Sequence, residues 1–139
     1  MHKTISEDLY EILARPRQLK FKICAISAKI SNLEDCLLPG AIRYDKDKVE
    51  SSPSDRMPEV MAEIEDLSDK QRRLSQELLQ ANELIQKICD ERLTDELEKT
   101  VILMRFVGCQ TFEEIGTALA YDKSGAWRIY DRAMDRLDT

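Results

Sequence analysis

Residues 97–137 read LEKTVILMRFVGCQTFEEIGTALAYDKSGAWRIYDRAMDRL, and the caps and apolar spacing in this stretch decide the fold. Thr111-Phe112-Glu113-Glu114 has the form of a capping box, in which the Thr hydroxyl and the Glu carboxylate each satisfy a free backbone N–H at a helix start. Ile115 and Leu119, four residues apart, make the buried face of a short helix. Ala120-Tyr121-Asp122 leaves room only for a tight turn, and Asp122 is suited to cap a further helix whose apolar positions are Ala126, Ile129, Ala133 and Leu137. Upstream, Thr94 can cap a preceding helix with Asp95, Glu96 and Glu98 in its opening turn, where the helix dipole favours negative charge. Leu97, Val101 and Met104 share one face of it, and Gly108 is a fitting stop. Residues 94–139 therefore read as a domain of three short helices.

The rest of the chain has a different rhythm. Ile5, Leu9, Ile12, Pro16, Leu19, Ile23, Ile26, Ile30, Leu33 and Leu37 follow one another by alternating steps of 4 and 3. Met57, Val60, Ile64, Leu67, Gln71, Leu74, Leu78, Ala81, Ile85 and Ile88 do the same. A side chain that returns every 3.5 residues stays on one face, which is the heptad seam of a coiled coil. Pro39-Gly40 and Ser51-Ser52-Pro53-Ser54 mark a loop between the two, near residues 39–55. Thr4 or Ser6 is expected to cap the first helix and Ser54 or Asp55 the second, with Pro58 in a first turn. Residues 1–93 thus fold back as an antiparallel hairpin, with Ile30 facing Ile64 and Gln71 opposite Ile23 as a polar register mark. Lys29 is expected near Glu65 and Asp69, and Lys20 near Glu77. Pro16 either bends the first helix or splits it near Ala14-Arg15. Leu13, Phe21, Cys24 and Ala28 on the first helix, with Leu79 and Leu84 on the second, lie off the seam. They either widen the one interface or make a second stripe for a homodimer or the C-terminal domain. The fold class expected is all-α: a long antiparallel helical hairpin followed by a three-helix domain.

Composition narrows the function. The chain has 139 residues, 35 % of them charged, with four Gly and four Pro. Few turns and much charge favour long solvated helices. No apolar run approaches the roughly 20 residues that span a bilayer, so no membrane partner is expected. No N-terminal apolar stretch reads as a signal peptide, and a cytoplasmic location is expected. Cys24, Cys36, Cys89 and Cys109 contain no closely spaced pair and His2 is the only histidine, so no metal site is expected. Reduced thiols at or near helix packing surfaces are the expectation instead. No catalytic constellation and no Gly-rich phosphate loop is present, so neither enzyme activity nor a cofactor is expected.

A short capped helix, a tight turn and a second helix together resemble a helix-turn-helix. More narrowly, TFEEIGTALAYDKSGAWRIYDRAMDRL, Thr111 to Leu137, resembles region 4 of the sigma-70 family, which reads the −35 promoter element. The Thr-x-Glu-Glu-Ile start, the small Gly116, Leu119 before the turn, and the Ala133 and Leu137 spacing carry the resemblance, which covers about 40 residues with the preceding helix. The whole chain also resembles small phage and prophage proteins that join a helical N-terminal half to a sigma-like C-terminal half; related phage proteins act as late-gene transcription activators. The loop phrase SSPSDRMPEV before a long acidic helix belongs to that likeness. The resemblance implies a transcription regulator that binds double-stranded DNA with the helix starting at Asp122. Carried over position by position, the groove-facing residues are Lys123, Ser124, Trp127 and Arg128. Lys123 and Arg128 suit phosphates or guanine edges, and Ser124 suits either. Trp127 departs from the family, which usually has a polar or basic residue there. Gly125 departs too, at a cost of roughly 1 kcal/mol in helix stability. Ala120 replaces the family's usual Gly, which implies a slightly different backbone at the turn.

Charge weighs on this reading. The chain carries a net −6, and residues 122–138 hold four acidic and four basic side chains. A neutral helix binds phosphates weakly by itself, so affinity is expected to draw on dimerisation or on a partner such as RNA polymerase. The competing reading is an interaction or scaffold protein in which both halves bind protein.

Overall fold

A computed structural model describes residues 7–38 and 53–138. The loop near 39–52, Ile5, and the Thr4 and Ser6 caps lie outside the described residues. Five helices follow in order: α1 Glu7–Cys36, α2 Pro53–Arg92, α3 Glu96–Phe106, α4 Phe112–Leu119 and α5 Lys123–Leu137. The fold is all-α, with no strand among the described residues. At about 1.5 Å per residue, α1 and α2 are about 45 and 60 Å long.

Pro16 does not split α1. The helix runs through it, and the ring is buried. α2 begins at Pro53, so Ser54 and Asp55 lie inside its first turn instead of capping it. Pro53 fits the first helical position because an N–H there has no intrahelical partner anyway. Pro58 falls within the helix, beyond the first turn expected for it.

The chain divides into two compact units, residues 1–19 with 77–139, and residues 20–76. In the first, Leu9 and Leu13 from α1 and Ile85, Ile88, Cys89 and Leu93 from α2 and its end pack with Ile102 of α3 and with Ala133, Met134 and Leu137 of α5. Leu13, off the seam by sequence, is therefore core. Beside this lies a smaller cluster of Val101, Ile115, Ala126 and Ile129, with Leu97, Met104, Phe112 and Leu119 packed against it. α3 is buried on two sides: Leu97, Val101 and Met104 face α4 and α5 as expected, while Ile102, Leu103 and Phe106 face the hairpin base. The second side was not evident from its sequence, since an 11-residue helix with apolar residues nearly all round carries little periodicity.

Polar contacts tie this unit at α5's end. The buried Glu98 accepts a 2.9 Å bond from Arg136, and Arg92 donates to the Leu137 carbonyl at 2.6 Å, one of the free carbonyls of the last turn. Glu77 pairs with Arg15 at 3.1 Å. Cys89 is buried within the core, and burial pushes its thiol up to about 11, so it is unreactive at neutral pH.

In the second unit the seam positions Ile23, Ile26, Ile30, Leu33, Leu37, Val60, Ile64, Leu67 and Leu74 are buried or half-buried. Gln71 donates to Ser27 Oγ, four residues along α1 from the Ile23 it was expected to face. The amide gains a hydroxyl acceptor there, which Ile23 cannot supply. Asp69 pairs with Arg72 on its own helix at 2.9 Å, where a partner in Lys29 was expected. Phe21, Cys24 and Ala28 are exposed, as are Leu79 and Leu84 elsewhere on α2. Two of the four thiols, Cys24 and Cys36, are thus exposed, contrary to the expectation of packing surfaces for all four.

Candidate nucleic-acid interface

Three local devices hold α4 and α5 together. The first is the capping box. Glu114 N–H donates to Thr111 Oγ1 at 3.1 Å, and Thr111 N–H donates to Glu114 Oε1 at 2.9 Å. Those bonds, the backbone N–H of Thr111 foremost, hold the Glu114 carboxyl below its usual range. The second is the turn. Tyr121 N–H reaches back to the Gly116 carbonyl at 2.8 Å, and a Cβ at Gly116 would sit 2.5 Å from the Tyr121 carbonyl oxygen. Gly116→Ala therefore forces the turn away from α4. The clash outweighs the better helix propensity of Ala, and the expected outcome is a loss of about 1–2 kcal/mol, read by chemical denaturation.

The third device is the left-handed residue that ends α4. Ala120 has φ 64° and ψ 39°. The backbone is thus the one a glycine serves, with no sign of the altered turn that the substitution implied. An L-residue there bears strain of roughly 1–2 kcal/mol. Ala120→Gly is expected to raise stability by roughly 0.5–1 kcal/mol, the relief exceeding the added entropy of the unfolded chain. A melting temperature that falls would contradict this. At the end of α3 the left-handed residue is Cys109, φ 55°, and the helix stops at Phe106, short of Gly108. The cap of α3 is Asp95, one residue after the expected Thr94.

Asp122 caps α5 as its sequence suggests. Its Oδ1 accepts from Gly125 N–H at 2.6 Å, and a Cβ on Gly125 would lie 2.8 Å from that same oxygen. The glycine that weakens the helix therefore allows the cap to close. Ala126, Ile129, Ala133 and Leu137 are all buried, and Met134 joins them. The opposite side of the first two turns carries Lys123, Ser124, Trp127 and Arg128, all exposed, with Trp127 at 49 %.

These four residues line one shallow cleft of about 330 Å³, and Phe112 from the first turn of α4 closes it. Phe112 was not among the expected site residues, since its position beside the box reads as core. It is indeed held from behind: Tyr130 meets it edge-on at 4.9 Å between ring centres. Arg105 lies over its ring at 4.6 Å and donates to the Gln110 carbonyl at 2.9 Å. Burial raises the Tyr130 hydroxyl above its ordinary range, so this tyrosine is neutral. The cleft thus offers two cations, a hydroxyl and two aromatic rings. Glu113 and Glu114 lie in α4's first turn, and further along α5 Asp131 and Asp135 alternate with Arg132 and Arg136.

No group of acidic, cysteine or histidine side chains suited to a metal ion occurs among the described residues. No described helix is long and apolar enough to cross a membrane. Compared with known proteins, the chain matches no family model, no curated protein and no solved structure.

Proposed function

We propose that this chain binds double-stranded DNA in the major groove with the first two turns of α5 and thereby regulates transcription. The observation that carries the reading is the gathering of Lys123, Ser124, Trp127 and Arg128 on one surface that the core does not need. A helix whose N-terminal residues meet base edges, preceded by a capped helix and a tight turn, is the docking geometry of helix-turn-helix proteins. The likeness of residues 111–137 to sigma-70 region 4 supports the same assignment, and on that likeness RNA polymerase is the partner to test beside DNA. The cytoplasm is the compartment this function requires.

Selection of bound sequences from a randomised duplex pool tests the proposal. A recovered motif of about half a helical turn is expected from one reading helix. Recovery of no enriched sequence would count against it.

The competing reading is protein binding by both halves. The neutral charge of residues 122–138 and the half-exposed indole favour it, because phosphate attraction is then weak while an aromatic anchor suits a protein partner. Under that reading, purified polymerase would retain the chain while duplex DNA did not.

A further inference from the structure

Charge within residues 20–76 is segregated along the hairpin. The tip, residues 30–38 at the end of α1 and 56–69 of α2, carries Glu34, Asp35, Glu59, Glu63, Glu65, Asp66 and Asp69 against Arg56 alone, seven acids to one cation, a net −6. The waist, residues 20–29 and 70–76, carries Lys20, Lys22, Lys29, Lys70, Arg72 and Arg73 and no acid, a net +6. All these side chains are exposed except the half-buried Lys20. The Gln71–Ser27 bond places the two waist segments at the same level, so cations stand beside cations and acids beside acids. Asp69 pairs with Arg72 where the two segments meet. Like charges at one level are unfavourable unless a partner compensates them.

Both segments also expose apolar surface. Phe21 is 63 % exposed at the waist, on a face shared with Cys24 and Ala28 three and seven residues on. At the tip, Met61 is 55 % and Met57 40 % exposed, one helical turn apart.

We infer that residues 20–38 and 56–76 form an antiparallel interface with a second copy of this chain, the acidic tip of each lying on the basic waist of the other. A two-fold arrangement makes the contact reciprocal, with −6 meeting +6 twice. A parallel arrangement sets tip on tip and waist on waist, and repels at both. The exposed Phe21 and methionines supply the apolar contact that charge alone does not. This inference goes beyond the DNA reading and does not rest on it.

Reciprocal charge reversal in the full chain tests it. The tip variant carries Glu63→Lys and Asp66→Lys; the waist variant carries Lys70→Glu and Arg73→Glu. By sedimentation equilibrium the parent is expected at twice the 16.1 kDa of one chain, with association weakening as salt shortens the screening length. Each variant alone is expected to need at least about tenfold more protein to dimerise, since both contacts then set −2 against +6, or −6 against +2, where the parent sets −6 against +6. An equal mixture of the two is expected to dimerise at lower protein concentration than either variant alone, because one contact of the mixed dimer again sets −6 against +6 and the reversed side chains meet each other in the second. Circular dichroism checks that each variant keeps its helices; where one does not, the single changes Asp66→Lys and Arg73→Glu replace the doubles. A monomeric parent, a variant that dimerises as the parent does, or a mixture that dimerises no better than either variant overturns the inference.

Discussion

Replacing both cations of the cleft, Lys123→Ala with Arg128→Ala, is expected to weaken binding to a selected duplex by about 100-fold. Each side chain is worth roughly 1–3 kcal/mol when it meets a base edge or phosphate, and 1.4 kcal/mol is a factor of ten. Binding that remains should depend less on salt, the slope of log affinity against log salt falling by about two, because two fewer counterions are released. Stability should hardly move. Both side chains are exposed and neither belongs to the core clusters, and such changes usually shift stability by less than about 0.5 kcal/mol. Fluorescence anisotropy over a salt series reads the first effect, and thermal melting the second.

The contrasting change is Ala126→Asp, one residue away from Trp127 but on the other side of the helix. Ala126 is buried among Val101, Ile115 and Ile129 with Leu119 and Phe112 around it. A carboxylate there replaces a methyl group inside an apolar cluster. Its expected cost is about 4 kcal/mol, a large share of the roughly 5–15 kcal/mol that holds a domain folded. The melting temperature should fall by roughly 10–20 °C, and DNA binding should go with it. The two variants thus separate a surface that reads from a surface that packs. A melting temperature within a few degrees of the parent's would mean that α5 does not pack as described.

What was legible in the sequence was mostly local. The Thr111 box, the Asp122 cap and the four buried positions of α5 each depend on residues within a turn or two of one another, and all are found. The two heptad seams were legible for the same reason, as a pattern repeated ten times. Features that depend on what packs where were not. The outer side of α3 is buried because the hairpin base lies against it, and nothing in residues 96–106 announces that neighbour. Glu98 reads as a helix-start acid, yet it is buried on Arg136, 38 positions away in the chain. Gln71 was read as a polar register mark opposite Ile23, yet its amide bonds Ser27, because an apolar seam does not announce which nearby hydroxyl a long amide reaches. Of the cleft, the four α5 residues were legible from resemblance and helical phase. Phe112 was not, since a residue that is half core and half surface shows only its core character in a sequence.

Trp127 is the only tryptophan in the chain and stands half exposed in the cleft, so its emission reports on this surface alone. The most direct test is to add a selected duplex to the full chain and follow tryptophan fluorescence and its quenching by acrylamide. If α5 enters the groove, emission changes in step with binding, and acrylamide reaches the indole much less in the complex than in the free chain. If duplex binds by an independent measure while the emission and its quenching stay as they were, the DNA lies elsewhere and α5 is not the reader.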